Sequence, residues 1–349
     1  MDGDAALETL FLPLASGALR MPDDGDALFL RARAGAWLQA WPRGHVRCEQ
    51  TFKPFADALE FIGARLAPPS DAERFPLVLA LPPRQREEAR AVLARAVRFA
   101  GSGGCVLACQ SNNEGARSGA ADLERLAGAV RSLSKNHCRV FWSAPLGDAV
   151  DRDLVDEWSA LDAPRPIAGG RFVSRPGLFA WDRVDTASAL LAAHLPDTLR
   201  GRVADLGAGY GYLAAEVVRR CANVEAIDLY EAEQRALEPA RENLAAAVRD
   251  AARAVAVELL WHDVTNGLSR RYDAIVSNPP FHQGRADQPG LGRAFIAAAA
   301  DALGPKGRFC MVANRHLPYE SLLAARFADV RAVVVQDGFK VIEARGPRR

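Results

Sequence analysis

No stretch of the 349-residue sequence approaches the roughly 20 consecutive apolar residues that span a bilayer, so no membrane partner is expected. Cys-x-x-Cys pairs are also missing. The six cysteines, at positions 48, 105, 109, 138, 221 and 310, stand apart, and no cluster of histidines accompanies them. That spacing argues against a metal site and against disulfides, and for buried free thiols. The N-terminus lacks the basic start and apolar stretch of an export signal and carries Asp2, Asp4, Asp23, Asp24 and Asp26, so a cytoplasmic location is expected. An excess of one charge is lacking too: 44 Lys and Arg face 43 Asp and Glu, a net +1. Without a global basic field, a polyanionic partner has to be met by local patches.

What is present points to two domains, since roughly 100–200 residues make one. Residues 162–170, Asp-Ala-Pro-Arg-Pro-Ile-Ala-Gly-Gly, read as a linker dividing a domain at 1–165 from one at 170–349. In the first, residues 75–81 read as a strand ended by Pro82-Pro83, and 89–100 as an amphipathic helix. Residues 103–110 read as a second strand, 122–133 as a second helix and 139–143 as a third strand. Strands alternating with helices imply parallel βαβ units. This half shows no acidic glycine loop, and Asn112-Asn113-Glu114-Gly115-Ala116-Arg117, though just after a strand end where such folds bind ligands, reads rather as a polar turn.

The second half reads more clearly. Strands are expected at 202–206, 223–228, 255–261, 272–277 and 307–313, with helices starting near 212, 231, 292 and 319. Two further β-rich runs, 330–335 and 339–344, flank Asp337-Gly338, a hairpin signal. The predicted fold is α/β: a Rossmann-like, seven-stranded sheet ending in an antiparallel hairpin, the layout of class I methyltransferases. A dehydrogenase-type dinucleotide domain is not expected to end that way.

Directly after the first of these strands comes Asp205-Leu206-Gly207-Ala208-Gly209-Tyr210-Gly211. Glycines let backbone turn sharply and approach a ligand, and the helix that follows offers unpaired N–H groups at its positive end. The spacing is Gly-x-Gly-x-Gly, not the Gly-x-Gly-x-x-Gly of dinucleotide sites. Asp205 would also be poorly placed beside a pyrophosphate, but well placed beside the ammonium or sulfonium of S-adenosylmethionine. Gly207 and Gly209 are therefore candidate cofactor contacts. Asp228, read as the end of the second strand, is a candidate for the ribose hydroxyls. Asp263 is a candidate for the adenine amino group, with Leu229 and Val264 near the ring.

The fourth strand ends in Ser277-Asn278-Pro279-Pro280-Phe281. Prolines offer no N–H, so the Asn278 side-chain oxygen and the Pro279 carbonyl can both act as acceptors for a planar NH₂ group. Phe281 can lie against a ring face. An amino group on a heteroaromatic ring is a weak nucleophile, and two acceptors would turn its lone pair towards an activated methyl group. Alignment and electrostatics then carry the catalysis. Asn278, Pro279 and Phe281 are the expected catalytic residues, and Asn278 is also expected at the cofactor.

These residues resemble those of the bacterial ribosomal RNA guanine-N2 methyltransferases, nearest among them the small-subunit (16S) methyltransferase C group. The likeness rests on residues 172–179 (Phe-Val-Ser-Arg-Pro-Gly-Leu-Phe), 205–211, 278–284 (Asn-Pro-Pro-Phe-His-Gln-Gly) and 312–319 (Val-Ala-Asn-Arg-His-Leu-Pro-Tyr). Residues 135–141 (Lys-Asn-His-Cys-Arg-Val-Phe) add to it in the first half. The resemblance implies two tandem methyltransferase-like domains, the first degenerate and given to RNA recognition or structure. It implies S-adenosylmethionine as cofactor, guanine N2 as target and ribosomal RNA or a ribosomal subunit as partner. It also implies substrate contacts from Pro280, Phe281, His282, Asn314 and Arg315. A monomer is expected. Arg171, Arg175, Arg183, Arg285, Arg293 and Arg315 could supply a basic face. Trp181 reads as a packing residue.

The tetrad itself is shared with methyltransferases of protein glutamine and of adenine, which stay open as alternatives. A catalytically silent RNA-binding assembly factor is a further reading, against which the intact loop and tetrad speak.

Overall fold

The computed structural model describes residues 4–21, 26–41, 45–280, 282–283, 286–287 and 289–348, with 282, 283, 286, 287 and 289 in backbone only. The chain divides into two compact units, Met1–Ala163 and Pro164–Arg349.

The first unit holds strands β1 (Ala27–Leu30), β2 (Val46–Glu49), β3 (Arg65–Leu66), β4 (Leu77–Ala80), β5 (Cys105–Ser111), β6 (Val130–Lys135) and β7 (Cys138–Ser143). They form one sheet in the order β3-β2-β1-β4-β5-β7-β6. β1 lies parallel to β2 and β4, whereas β7 runs antiparallel to β5 and β6. β1 and β4 are buried along their whole length. Alternate side chains explain this: Leu28, Leu30, Val78 and Ala80 enter the core on one face, and Ala27, Phe29, Leu77 and Leu79 the core on the other.

One expected helix is corrected here. The helix read at 122–133 runs from Ala116 to Ala127 and stops at Gly128, whose φ of +81° no helix continues. Val130–Lys135 is instead the edge strand of a hairpin. Its turn, Asn136-His137, has φ of +50° and +57° at the two residues, the left-handed pair that suits the twist of a tight hairpin.

The second unit opens with β8 (Arg165–Ile167) and β9 (Phe172–Ser174), which pair antiparallel. The stretch read as a linker is thus a small hairpin whose Ile167 and Phe172 join the core. Strands β10 (Arg200–Leu206), β11 (Asn223–Glu231), β12 (Ala256–Trp261) and β13 (Tyr272–Ser277) follow. A short antiparallel pair, β14 (His282–Gln283) and β15 (Ala286–Asp287), precedes β16 (Leu303–Asn314), β17 (Phe327–Gln336) and β18 (Phe339–Pro347). The main sheet runs β12-β11-β10-β13-β16-β18-β17, the same topology as in the first unit. The antiparallel hairpin β17–β18 turns at Asp337-Gly338, both with positive φ, where the sequence placed it.

The parallel registers make the two sheets comparable residue by residue. Leu206 faces Ser277 across β10 and β13, as Leu30 faces Ala80 across β1 and β4. Gly207, Glu231 and Asn278 therefore correspond to Arg31, Gln50 and Leu81.

Candidate active site

The carboxyl ends of β10, β11, β12 and β13 bring the candidate residues to one pole of the second unit, where doubly wound sheets hold their ligands. Asp205, one residue before the end of β10, does not open to solvent. It is wholly buried; its Oδ2 accepts the Ala214 N–H at 3.0 Å and its Oδ1 has no partner among the described residues. Burial pushes this carboxyl up to about 7; the Ala214 N–H works against the shift and the Glu231 charge with it. Asp205 thus ties the glycine loop to the first turn of the helix Tyr212–Arg220.

The loop glycines differ in what surrounds them. A Cβ on Gly209, at φ +55°, would meet nothing within 4 Å, so this backbone is open to an approaching ligand. At Gly207 a Cβ would lie 3.2 Å from Phe295 and 4.0 Å from Pro280 Cδ, so the loop sits directly against the Asn-Pro-Pro turn. A second link is the Ser277 hydroxyl, which donates to the Leu206 carbonyl at 2.8 Å.

Asp228 does not occupy the place expected of it. β11 continues three residues further, to Glu231, and Asp228 sits wholly buried inside it. Its carboxylate pairs with Arg202 at 2.9 Å and Arg270 at 3.1 Å and accepts the Tyr272 hydroxyl at 2.9 Å. A carboxylate with all these partners is a structural counter-ion. The acid at the strand end is Glu231, half-buried, with Oε2 accepting the Gly209 N–H at 2.7 Å and Oε1 the Glu233 N–H at 2.8 Å. Burial pushes its carboxyl upward as well, against those N–H groups. Leu229 is likewise corrected: it is fully buried in the core, because the strand runs on past it. Val264 also turns inward, packing in the other core cluster with Tyr230. Asp263 lies past the end of β12 as expected, capping its own turn by accepting from the Thr265 N–H and hydroxyl at 2.9 and 2.7 Å.

Asn278 follows β13. Its Nδ2 donates to Asp185 Oδ2 at 3.0 Å and to Ser188 Oγ at 2.8 Å. Both amide hydrogens are thereby engaged, and no described residue donates to its Oδ1. Asp185 caps the helix Thr186–Ala193, accepting the Ser188 N–H at 2.8 Å. Pro279 is buried and Pro280 exposed. Phe281 lies outside the described residues, as does the side chain of His282. Asn314 ends β16 and its carbonyl accepts the Leu317 N–H at 3.1 Å; the Arg315 N–H donates to Gly338 in the hairpin turn at 2.8 Å.

Glu231, Asp185 and Ser188 escaped the sequence reading. Glu231 was legible in principle, as the first charge after the apolar run closes at Tyr230. Asp185-Thr186-Ala187-Ser188 announces a helix start, but not a partner 93 residues away.

Of the six arginines expected to form a basic face, three meet acids. Arg171 lies 3.8 Å from Glu216, Arg175 3.3 Å from Glu238 and Arg183 2.7 Å from Asp182, while Arg285 falls outside the described residues. Trp181 packs against the core under the Arg165 guanidinium, 4.4 Å from its ring. Cysteines 48, 109, 138, 221 and 310 are free and buried, and burial pushes the Cys221 thiol up to about 11. Among the described residues no helix is long and apolar enough to cross a membrane, and no cluster of three metal-ligating side chains occurs.

The first unit closes the equivalent pole. Arg31, at Gly207's place, bonds Glu88 at 2.7 Å. Gln50, at Glu231's place, donates to the Ala32 carbonyl at 2.6 Å, and Leu81 stands where Asn278 would be.

An open glycine backbone, an acid at the next strand end, a third acid beyond β12 and an orphaned buried carboxylate oxygen fit a nucleoside-bearing, positively charged cofactor. Fold and site together define a class I methyltransferase-like protein. Residues 169–343 match the family described as methyltransferase small domain, and the chain belongs to that family. A ribosomal RNA small subunit methyltransferase C of Shewanella sp. (strain MR-4) is 30% identical over 219 residues, covering 61% of this chain and 60% of the relative. One from Pseudomonas paraeruginosa (strain DSM 24068 / PA7) is 34% identical over 222 residues, covering 63% and 64%. The chain thus aligns with less than two thirds of the length of either relative. The 16S rRNA N2 methyltransferase of T. thermophilus, solved in complex with AdoMet and guanosine, superposes with a TM-score of 0.80 at 25% identity, covering 99% of this chain and 92% of that one.

Proposed function

We propose that this chain transfers a methyl group from S-adenosylmethionine to the exocyclic N2 amine of a guanine in small-subunit ribosomal RNA, acting as a cytoplasmic monomer. The observation that carries this reading is the commitment of both Asn278 Nδ2 hydrogens to Asp185 and Ser188. The one polar atom this side chain has left is an acceptor, which suits an amine target. The likeness to a guanosine-bound N2 methyltransferase supports the choice of base.

Gly207, Gly209, Glu231 and Asp263 would hold the cofactor, with Glu231 rather than Asp228 accepting from the ribose and Asp205 bracing the loop. When bound, the cofactor supplies a methyl group already activated by its sulfonium. The chain's own work is alignment: Asn278 Oδ1 and the Pro279 carbonyl hold the two amine hydrogens and so direct the nitrogen lone pair. Pro280, Phe281, His282, Asn314 and Arg315 line the base side in this reading. A paired guanine must be exposed first, so partly assembled or unfolded RNA is the expected substrate form. The N-terminal unit is assigned to RNA recognition or support, for which Arg31, Gln50 and Leu81 in place of Gly207, Glu231 and Asn278 argue.

The test is incubation of the purified chain with methyl-labelled S-adenosylmethionine and unmodified small-subunit RNA, both bare and partly assembled with ribosomal proteins, followed by nucleoside and protein analysis. N2-methylguanosine is expected. Label in N6-methyladenosine, in ribosomal protein, or nowhere would overturn the proposal.

A further inference from the structure

We infer that Asp185 is a positioning residue that fixes which end of the Asn278 amide faces the substrate, and so makes the site selective for an NH₂ donor. The inference deepens the proposed amine methylation and rests on it for the identity of the acceptor.

The two ends of an asparagine amide are nearly equal in size and opposite in hydrogen bonding. One end donates twice and the other only accepts. Left alone beside a ligand, such a group can present either. Here the choice is made by the far side. An ionised carboxylate cannot donate, so only the NH₂ end of Asn278 can face Asp185, at 3.0 Å. Ser188 takes the second hydrogen at 2.8 Å. Reversal would set the amide oxygen against a carboxylate oxygen in a partly buried place, where such repulsion is strong.

Asp185 is itself held. It caps the helix Thr186–Ala193, and the same Oδ2 that meets Asn278 accepts the Ser188 N–H at 2.8 Å. The segment leading to it is tied down twice. The Tyr210 hydroxyl donates to the Arg183 carbonyl at 3.1 Å, and Asn243 bonds both the N–H and the carbonyl of Val173 at 2.8 Å. Since Tyr210 belongs to the glycine loop, the acceptor end of Asn278 is referenced to the cofactor side of the site.

The decisive variant is Asp185→Asn. Asparagine caps helices as well as aspartate does, so folding is preserved. The capping oxygen still faces Asn278 but without its charge, so the hydrogen bond weakens and the reversed amide is opposed far less. Full-length protein labelled with ¹⁵N-asparagine gives the first readout, with the Asn278 NH₂ pair identified by its loss in Asn278→Ala. The pair is expected to exchange with solvent about 10-fold faster in Asp185→Asn than in the parent chain, as buried hydrogen bonds protect. Unchanged exchange would disprove the clamp whatever the enzyme methylates. The second readout is kinetic: kcat falls by about 10-fold or more while cofactor affinity and the unfolding midpoint hold, the pattern of a lost alignment. In an Asn278→Ala background the same change should produce no further fall. A full further fall there, or parental kcat in the single variant, would overturn the inference. Failure of the guanine-N2 reading is distinct from either, since it shows in the parent chain's own product.

Discussion

Glu231 accepts the backbone N–H of Gly209 through Oε2 at 2.7 Å, so the acid at the end of β11 and the most open glycine of the loop are a single unit. A ligand that rests on the Gly209 backbone therefore lies beside a carboxylate whose position is already set.

Glu231→Gln should lower S-adenosylmethionine affinity by about 10-fold, the scale of a charge-assisted hydrogen bond reduced to a neutral one. Glu231→Ala should lower it further. Calorimetric titration reads both, and parental affinity in the alanine variant would remove Glu231 from the site.

Asp228→Ala should behave in the opposite way. Removing it leaves Arg202, Arg270 and the Tyr272 hydroxyl without their common acceptor, and the Tyr272 hydroxyl also contacts Tyr230 at 2.6 Å. The two arginines reach solvent, so the loss of stability should be roughly 1–3 kcal/mol rather than the full penalty of a broken buried pair. Urea unfolding measures it. Cofactor affinity below the unfolding range should match the parent; a large drop at unchanged stability would return Asp228 to the binding site.

These two acids show where sequence reading stops. The glycine loop and Asn-Pro-Pro turn were legible because each is a contiguous run whose residue types serve a backbone need. The end of β11 was not. A charge inside an apolar run looks like a strand end until Arg202 and Arg270, contributed by other segments, are seen to neutralise it. The helix read through 133 failed for a related reason: the apolar spacing continued past Gly128, but the chain reversed into β6 to pair with β7. The hairpin β8–β9 was hidden because Pro and Gly mark turns as well as linkers. The Asp185–Asn278 bond joins positions no local pattern relates.

Two loop glycines should separate stability from binding. At Gly211, φ is +83° and an added Cβ would lie 2.8 Å from Leu244 Cδ2 and 3.4 Å from Ala240. Gly211→Ala combines left-handed strain with overpacking and should destabilise by roughly 2–4 kcal/mol. Gly209→Ala meets only open space, so its stability loss should be about 1 kcal/mol, with cofactor affinity taking the larger effect. Equal unfolding midpoints for the two variants would contradict the packing described.

The pH dependence of the unliganded chain should carry the mark of Asp205. Its carboxyl stands at about 7 in the fold against an ordinary 3.8, because burial disfavours its charge. Between those values the folded chain holds a proton that the unfolded chain has released. Stability must then fall as pH rises through this window, with a slope of up to about 1.4 kcal/mol per pH unit for one proton. The contribution is fully present below the lower value and lost above the upper one. Burial also raises the carboxyl of Glu231, so the quantity to follow is the difference between the parent and Asp205→Asn. Urea midpoints at pH 5, 6, 7 and 8 (roughly the span over which one raised carboxyl discharges) should show the parent losing ground to the variant as pH increases. A constant difference would mean that Asp205 is ionised throughout, and that its unpartnered Oδ1 is stabilised by something other than a proton.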